Sequence, residues 1–220
     1  MPGHGESEEL LRNEQSIDAW SNTLQLVLSA LSVNKCFLYG HNGGASVAAH
    51  FSIHQPNRVD GLICDAPIYV RNTDACDWAN KWLGDIESVA PRWDGSHLLS
   101  IWHMRRDMGI WWPWFEKDHL HKRQYLNIQP EKINLEVREF LKQPKSFLDT
   151  WRSVIRYDVM QQILTVKQRK LFISTKDDLF QPCFNEFLSA DLGLNALEID
   201  SDVVCKARHI VNFIKNSIDH

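Results

Sequence analysis

Residues 35–70, KCFLYGHNGGASVAAHFSIHQPNRVDGLICDAPIYV, decide the fold of this chain. Residues 36–39 form a short apolar run of the length expected for a buried strand. A glycine-rich turn follows at 40–44, and residues 45–54 read as a helix rich in small side chains. A Gln-Pro-Asn segment interrupts that helix, and residues 59–64 form a second apolar strand. The order of strand, sharp turn, helix and strand predicts an α/β fold built on a parallel sheet.

The turn Gly40-His41-Asn42-Gly43-Gly44 resembles the nucleophile elbow of the α/β hydrolases, G-x-S-x-G, with asparagine at the serine position. In that motif the central residue lies in a strained bend between a strand and a helix. Its neighbours therefore need to lack a Cβ, as Gly40 and Gly44 do. Asparagine tolerates a positive φ better than most residues, but a carboxamide is a poor nucleophile. The geometry of the elbow is predicted here without its chemistry.

Two further segments resemble parts of the same superfamily, in the same order along the chain. MPGHGES at 1–7 resembles the D-x-x-G-x-G-x-S loop after the fourth family strand. An amphipathic helix follows at 17–31, with Ser16 as its N-cap. RKLFISTKDDLF at 169–180 resembles the seventh strand and the loop that carries the catalytic acid. The implied fold is α/β, with family strands five to eight in a parallel sheet flanked by helices and a helical cap inserted among them.

The resemblance divides the chain into a hydrolase-like core at 1–70 and 165–220 and a tryptophan-rich helical cap at 71–164. Because the first match is the loop after the fourth strand, the first four family strands are expected to be missing. The His-Gly loop, which usually supplies half of the oxyanion hole, would be missing with them. A strand that is normally central would then form an edge, and an exposed edge predicts self-association.

Of the three catalytic positions, only the acid has its expected chemistry. The family motif G-x-x-D places the acid at Asp178, although Thr175 replaces the glycine and the alignment can slip to Asp177. An aspartate in such a loop can also simply cap a turn. The family histidine belongs between the last strand and the last helix, where this chain has none. His209 is the remaining candidate, but it lies inside the helical pattern, out of reach of a nucleophile at position 42.

Asn42-Gly43 raises a further hypothesis. Asparagine followed by glycine is the dipeptide most prone to deamidation, because nothing hinders attack by the next backbone nitrogen. Deamidation would place an aspartate where dehalogenases and epoxide hydrolases of this superfamily carry their nucleophile. Against this, a rigid elbow is expected to hold the backbone away from the attack geometry.

Most of the nine tryptophans fall in residues 71–150. Trp111, Trp112 and Trp114 are predicted to line a pocket for a small apolar molecule, with His41 and Gly43 contributing from either side of residue 42. The alternative is that these large rings pack against the core of the cap.

Composition excludes several classes of protein. The chain has 220 residues, 44% hydrophobic and 24% charged, with a net charge of -4, which gives no reason to expect nucleic acid as a partner. No apolar run is long enough to span a bilayer and no signal peptide is apparent, while five scattered cysteines suit a cytoplasmic protein. Asp118, His119 and His121 supply too few ligands for a metal site, so neither a metal nor a cofactor is predicted.

The sequence therefore favours a hydrolase of small apolar esters, epoxides or related substrates whose activity is weak or absent. The alternatives are a non-catalytic relative that binds a small molecule or a protein, and an incomplete gene product.

Overall fold

The structure is a computed structural model that describes residues 1–8, 15–69, 91–124, 126, 128–142, 144–181, 184–185, 188 and 195–218. Within these ranges the α-helices are α1 (Ile17–Ala30), α2 (Gly43–His54), α3 (Ser96–Met108), α4 (Pro130–Lys142), α5 (Pro144–Arg156), α6 (Val159–Thr165) and α7 (Val203–Ile218). The strands are β1 (Cys36–His41), β2 (Val59–Asp65), β3 (Arg169–Thr175) and β4 (Ala196–Ile199), and a short 3-10 helix spans Pro56–Arg58.

The chain forms two compact units. The helical unit comprises Met1–Arg12 and Thr73–Arg152, and the sheet unit comprises Asn13–Asn72 and Ser153–His220. The sequence places the boundaries at 70 and 165. In the structure, residues 153–164, including α6, belong with the sheet, and the N-terminal loop belongs with the helical unit.

The sheet is parallel throughout and its strand order is β1-β2-β3-β4, which confirms the predicted arrangement. Residue Ile63 of β2 lies opposite Tyr39 on one side and Leu171 on the other. Both β2 and β3 are nearly continuously buried, as expected for parallel strands covered on both faces. Among the strands that the structure describes, β1 is paired on one side only.

Helix α2 covers the sheet because its small side chains allow close approach. Ala45, Ala48, Ala49 and Phe51 are buried with Leu62 and other residues of the sheet in the larger hydrophobic core of this unit. Helix α1 packs against α2.

Helix α1 begins where its sequence predicts. The Ser16 side chain accepts a hydrogen bond from the Ala19 amide at 3.1 Å, which confirms the predicted N-cap.

Helix α7 differs from its predicted apolar face. The spacing predicts Val203, Ala207, Ile210, Val211 and Ile214 as the buried residues, but Val203, Ala207 and Val211 are exposed and the two isoleucines are half-buried. Phe213 is the buried residue of the helix, and its ring meets Phe37 of β1 edge to face at 6.3 Å. The larger aromatic ring therefore sets which side of α7 faces the sheet.

The sequence also predicts helices at 126–142 and 147–159, a helix that begins at Pro182, and Trp78 and Trp82 on one face of a further helix. The helix expected from 126 begins at Pro130, since proline is favoured in the first turn. A single helix expected at 147–159 is instead the pair α5 and α6. Trp78, Trp82 and the helix start expected at Pro182 lie outside the described residues. No described helix is both long enough and apolar enough to cross a membrane.

Candidate active site

Asn42 lies at the corner where β1 turns into α2. Its φ is 49° and its ψ is -119°, a combination that non-glycine residues rarely adopt. The Asn42 amide donates to the Asp65 carbonyl at 2.9 Å, and the Ala45 amide donates to the Asn42 carbonyl at 3.0 Å. The strained bend predicted from the glycines is therefore present, and main-chain hydrogen bonds on both sides of the residue hold it.

The three glycines of the turn have different roles. A Cβ on Gly40 would overlap the Gly44 carbonyl oxygen and come within 2.6 Å of Ala45 Cα, so β1 and α2 meet at this point backbone to backbone. A Cβ on Gly43 would lie 2.8 Å from Val154 Cγ2. A Cβ on Gly44 would meet no atom within 4 Å, so the expectation that this position also excludes a Cβ is wrong. Gly40 and Gly43 are the sterically required glycines.

The Asn42 side chain is half-buried, and the oxygen of its carboxamide is buried without a partner. Its Oδ1 atom is inaccessible to solvent and has no hydrogen-bond partner among the described residues. The side chain does not cap α2 either. No described basic group is hydrogen-bonded to it, as activation of a nucleophile would require.

A cluster of polar side chains surrounds the carboxylate of Asp65, at the end of β2. Asp65 is 1% exposed. Its Oδ2 accepts hydrogen bonds from the hydroxyl of Tyr39 and, at 2.7 Å, from Lys206 Nζ of α7. His41 Nδ1 lies 3.2 Å from the same oxygen, and His41 Nε2 lies 4.0 Å from Asp178 Oδ2. The imidazole of His41 therefore lies between two carboxylates.

The electrostatics of this cluster follow from its contacts. Hydrogen bonding to Asp65 raises the pKa of His41 above its ordinary value, against the effect of burial. Burial tends to raise the pKa of Asp65, but hydrogen bonds from His41, Lys206 and Tyr39 outweigh it and hold that pKa below its usual range. Burial raises the pKa of Asp178, the largest influence on that carboxyl. The cluster therefore favours a charged pair of Asp65 and His41 beside a less acidic Asp178.

We expect the free energy of unfolding to depend on pH through the protonation of His41. Because the folded pKa of His41 is raised, its contribution is complete below the unfolded pKa of about 6.5 and is lost as pH rises through the folded value. Asp178, with its raised pKa, and Asp65, with its lowered pKa, are carboxyls that titrate in acid, where their effects on stability run in opposite directions. Urea unfolding followed between about pH 6 and 9 should show stability falling with pH in the native protein and less so in His41→Asn.

The matched control for this titration is His209→Asn, a histidine outside the cluster. It shows how much of any change in slope comes from removing a histidine of any kind. Tyr39 stays protonated across this range because burial, the largest effect, and its bond to Asp65 raise its pKa, so it adds no titration of its own. Equal slopes for native protein and His41→Asn would contradict the assignment.

Of the predicted acid and the predicted histidine, Asp178 belongs to the cluster around His41 and His209 does not. The amide of Asp178 donates to the Thr175 carbonyl at 3.0 Å, and the amide of Phe180 donates to Asp178 Oδ1 at 2.7 Å. Asp178 thus caps the turn after β3 and also faces His41. His209 is half-buried on α7 and makes no hydrogen bond or ion pair with the described residues. The predicted residues His41, Asn42, Gly43 and Asp178 are grouped at one end of the sheet, and none of the hydrogen bonds or ion pairs in the described part of the chain joins His209 to them.

Sequence reasoning missed Tyr39, Asp65 and Lys206. The signal for Tyr39 was its spacing from His41, because residues two apart on a strand share a face. Asp65 directly follows an apolar strand, which is where functional carboxylates of parallel sheets lie. Lys206 is 141 residues from Asp65 along the chain, and no local pattern links them.

The predicted aromatic ligand residues belong to the helical unit. Trp114 is buried, its ring centroid lies 6.2 Å from that of Trp112 and 5.1 Å from that of Phe115, and Trp111 and Trp112 are half-buried. A cavity of about 400 Å³ in this unit is lined instead by the N-terminal loop and by residues of α3 and α4: Gly3, His4, Gly5, Arg105, Leu135, Glu136, Glu139 and Phe140. The main-chain amide of Trp112 donates to the His121 carbonyl at 2.8 Å, so this segment also contacts residues beyond its immediate neighbours in sequence.

In the segment at 118–121, the side chains of His121 and Asp118 are within hydrogen-bond distance of each other. His121 Nδ1 lies 2.9 Å from Asp118 Oδ1 on an exposed loop. Within the described part of the chain, no three histidine, cysteine or acidic side chains form a metal-binding group.

Comparison with known proteins places these observations in context. A family model described as "Serine aminopeptidase, S33" matches residues 1–129. No curated protein matches the sequence.

Solved structures match the whole fold. A carboxylesterase structure from Nitrososphaera gargenis is 13% identical, with a TM-score of 0.67, over 100% of this chain and 77% of that one. Epoxide hydrolase A from Mycobacterium thermoresistibile is 17% identical, with a TM-score of 0.61, over 96% of this chain and 77% of that one. A bromoperoxidase from Bacillus anthracis is 12% identical, with a TM-score of 0.70, over 100% of this chain and 79% of that one. At these identities the likeness shows the fold alone.

Proposed function

The chain belongs to the serine aminopeptidase S33 family of α/β hydrolases, and from that premise we propose that it is a catalytically silent member that binds a small apolar ester, epoxide or related molecule. The observation that carries the proposal is Asn42 itself. It has the strained backbone of a nucleophile position, with φ 49° and ψ -119°, but it carries a carboxamide. A carboxamide has no hydroxyl, thiol or carboxylate with which to attack a substrate.

The neighbouring groups support the absence of turnover. A hydrolase of this type needs a base within hydrogen-bond reach of the nucleophile. The nearest histidine in sequence is His41, and its two ring nitrogens face Asp65 and Asp178. Since both nitrogens are directed at carboxylates, His41 serves to stabilise the end of the sheet.

The elbow still offers groups that bind an oxygen atom. The amides of Gly43 and Gly44, the first two residues of α2, make no hydrogen bond to the described residues. In elbow motifs, the amide of the residue after the nucleophile is one of the donors to the substrate oxygen. A carbonyl or epoxide oxygen can accept from the Gly43 amide without any bond being broken.

The decisive experiment compares turnover with binding. We expect the native protein to hydrolyse p-nitrophenyl butyrate and styrene oxide no faster than Asn42→Ala. Asn42→Ser should remain within about tenfold of both, because no base activates the hydroxyl. Tryptophan fluorescence should respond saturably to the same compounds in the native protein. Asn42→Phe, which fills the corner, should abolish that response, whereas Asn34→Phe on an exposed loop should preserve it.

Two results would overturn the proposal. Native turnover well above that of Asn42→Ala would show that the carboxamide position is catalytic after all. A saturable response unchanged in Asn42→Phe would show that the binding site lies elsewhere.

A further inference from the structure

We propose that Asn42 is a site of self-modification, at which the backbone nitrogen of Gly43 attacks the carboxamide and converts it through a cyclic imide to aspartate or isoaspartate. This goes beyond ligand binding by a silent elbow and does not depend on it. The chain has one Asn-Gly dipeptide, and the structure places it at the corner between β1 and α2.

The geometry of the backbone is the main argument. In an L-residue, Cβ is offset from the residue's own nitrogen by about 120° around the Cα–C bond. A ψ of -119° therefore brings the nitrogen of Gly43 into near eclipse with Cβ of Asn42. A five-membered imide ring requires this arrangement, because its Cβ, Cα, carbonyl carbon and nitrogen lie close to one plane. The expectation that a rigid elbow holds the backbone away from the attack geometry is wrong for this ψ.

The side chain is free to complete the ring. With the backbone already eclipsed, rotation about the single Cα–Cβ bond brings Cγ to the nitrogen. The Asn42 carboxamide has no hydrogen bond to the described residues that would oppose this rotation. Its Oδ1 is also sheltered from solvent.

The attacking atom, the backbone nitrogen of Gly43, is also available for the reaction. The Gly43 amide donates no hydrogen bond to the described residues. Glycine presents no side chain of its own beside the nitrogen, and Val154 closely covers the side where a Cβ would stand. Val154 therefore packs against that side of Gly43 and does not block the ring that forms between Asn42 and Gly43.

The chemistry balances with water as the only co-reactant. The Gly43 nitrogen forms a bond to Asn42 Cγ and gives up its proton, the Cγ–Nδ2 bond breaks, and ammonia leaves. Water then adds to one of the two imide carbonyls and the ring opens. Addition at Cγ gives aspartate, and addition at the main-chain carbonyl gives isoaspartate.

The test follows the fate of residue 42 by mass spectrometry. The full-length protein is incubated at mildly alkaline pH, and peptide mapping measures loss of one ammonia (the imide) and its replacement by one water. A synthetic peptide of residues 36–50 gives the rate for the same sequence unfolded. Because an unfolded chain rarely visits the strained ψ, we expect the folded protein to react about tenfold faster or more.

Controls make the result interpretable. Asn216-Ser217, in α7, should remain unmodified over the same period and reports general damage. Asn42→Gln cannot close a five-membered ring and should stay intact, while Asn42→Asp supplies the product standard. An Asn42 that reacts no faster in the folded protein than in the peptide overturns the proposal. So does aspartate formed with neither imide nor isoaspartate, since that pattern means direct attack by water. Neither outcome bears on ligand binding, which is measured separately.

Discussion

Gly40→Ala is expected to lose the cooperative unfolding transition of the sheet unit. The added Cβ would overlap the Gly44 carbonyl oxygen and lie 2.6 Å from Ala45 Cα. Both obstacles are main-chain atoms, so no side-chain rotation relieves them and β1 must separate from α2. We expect destabilisation of more than about 4 kcal/mol, a large part of the total stability of a typical domain. Urea unfolding followed by circular dichroism measures the change, and the buried Trp20 gives a local fluorescence signal.

Gly44→Ala is the matched control, four residues away in the same turn. Its Cβ would meet nothing within 4 Å, and alanine is the better helix former at this position in α2. We expect it to be neutral or to stabilise the protein by up to about 1 kcal/mol. Comparable losses of stability in the two variants would show that a Cβ is equally harmful at both positions. That result would contradict the close contact assigned to Gly40 alone.

The second large effect is expected at Asp65→Ala, with a loss of about 3 kcal/mol. Removing this carboxylate leaves the ammonium of Lys206, the imidazole of His41 and the hydroxyl of Tyr39 without their common acceptor. Breaking one side of a buried ion pair costs more than the pair itself contributes, because the remaining charge stays partly out of water.

Asp200→Ala tests whether this cost depends on burial. Asp200 pairs with Lys176 at 2.8 Å, but its side chain is 79% exposed. An exposed pair of this kind contributes less than about 1 kcal/mol. Both variants are compared by urea unfolding at neutral pH, and a loss at Asp65 as small as that at Asp200 would contradict the role assigned to the cluster.

Local signals explain why the fold was predictable. The apolar run before Gly40, the small residues of α2 and the Gln-Pro-Asn break each act within a few residues, and all three elements appear where expected. Ser16 illustrates the same point, because an N-cap bonds to an amide only three residues away.

The candidate site was only partly predictable because its contacts are long-range. Asn42 and Asp178 could be placed through a motif, but the pairing of Asp65 with Lys206 joins segments 141 residues apart. The ψ of Asn42 is likewise set by the carbonyl of Asp65 and by the contact between Gly40 and Gly44, not by asparagine itself. For that reason the sequence could indicate a strained corner but not the orientation of the next nitrogen.

The way the corner is held has an evolutionary consequence. The bend at residue 42 is maintained by main-chain hydrogen bonds and by glycine contacts on the neighbouring positions, and the side chain of residue 42 contributes to neither. The side chain of residue 42 can therefore be substituted during evolution without loss of the bend. A lineage could exchange serine with asparagine, and asparagine with aspartate, each by a single base change, and lose or regain a reactive group while the same fold persists.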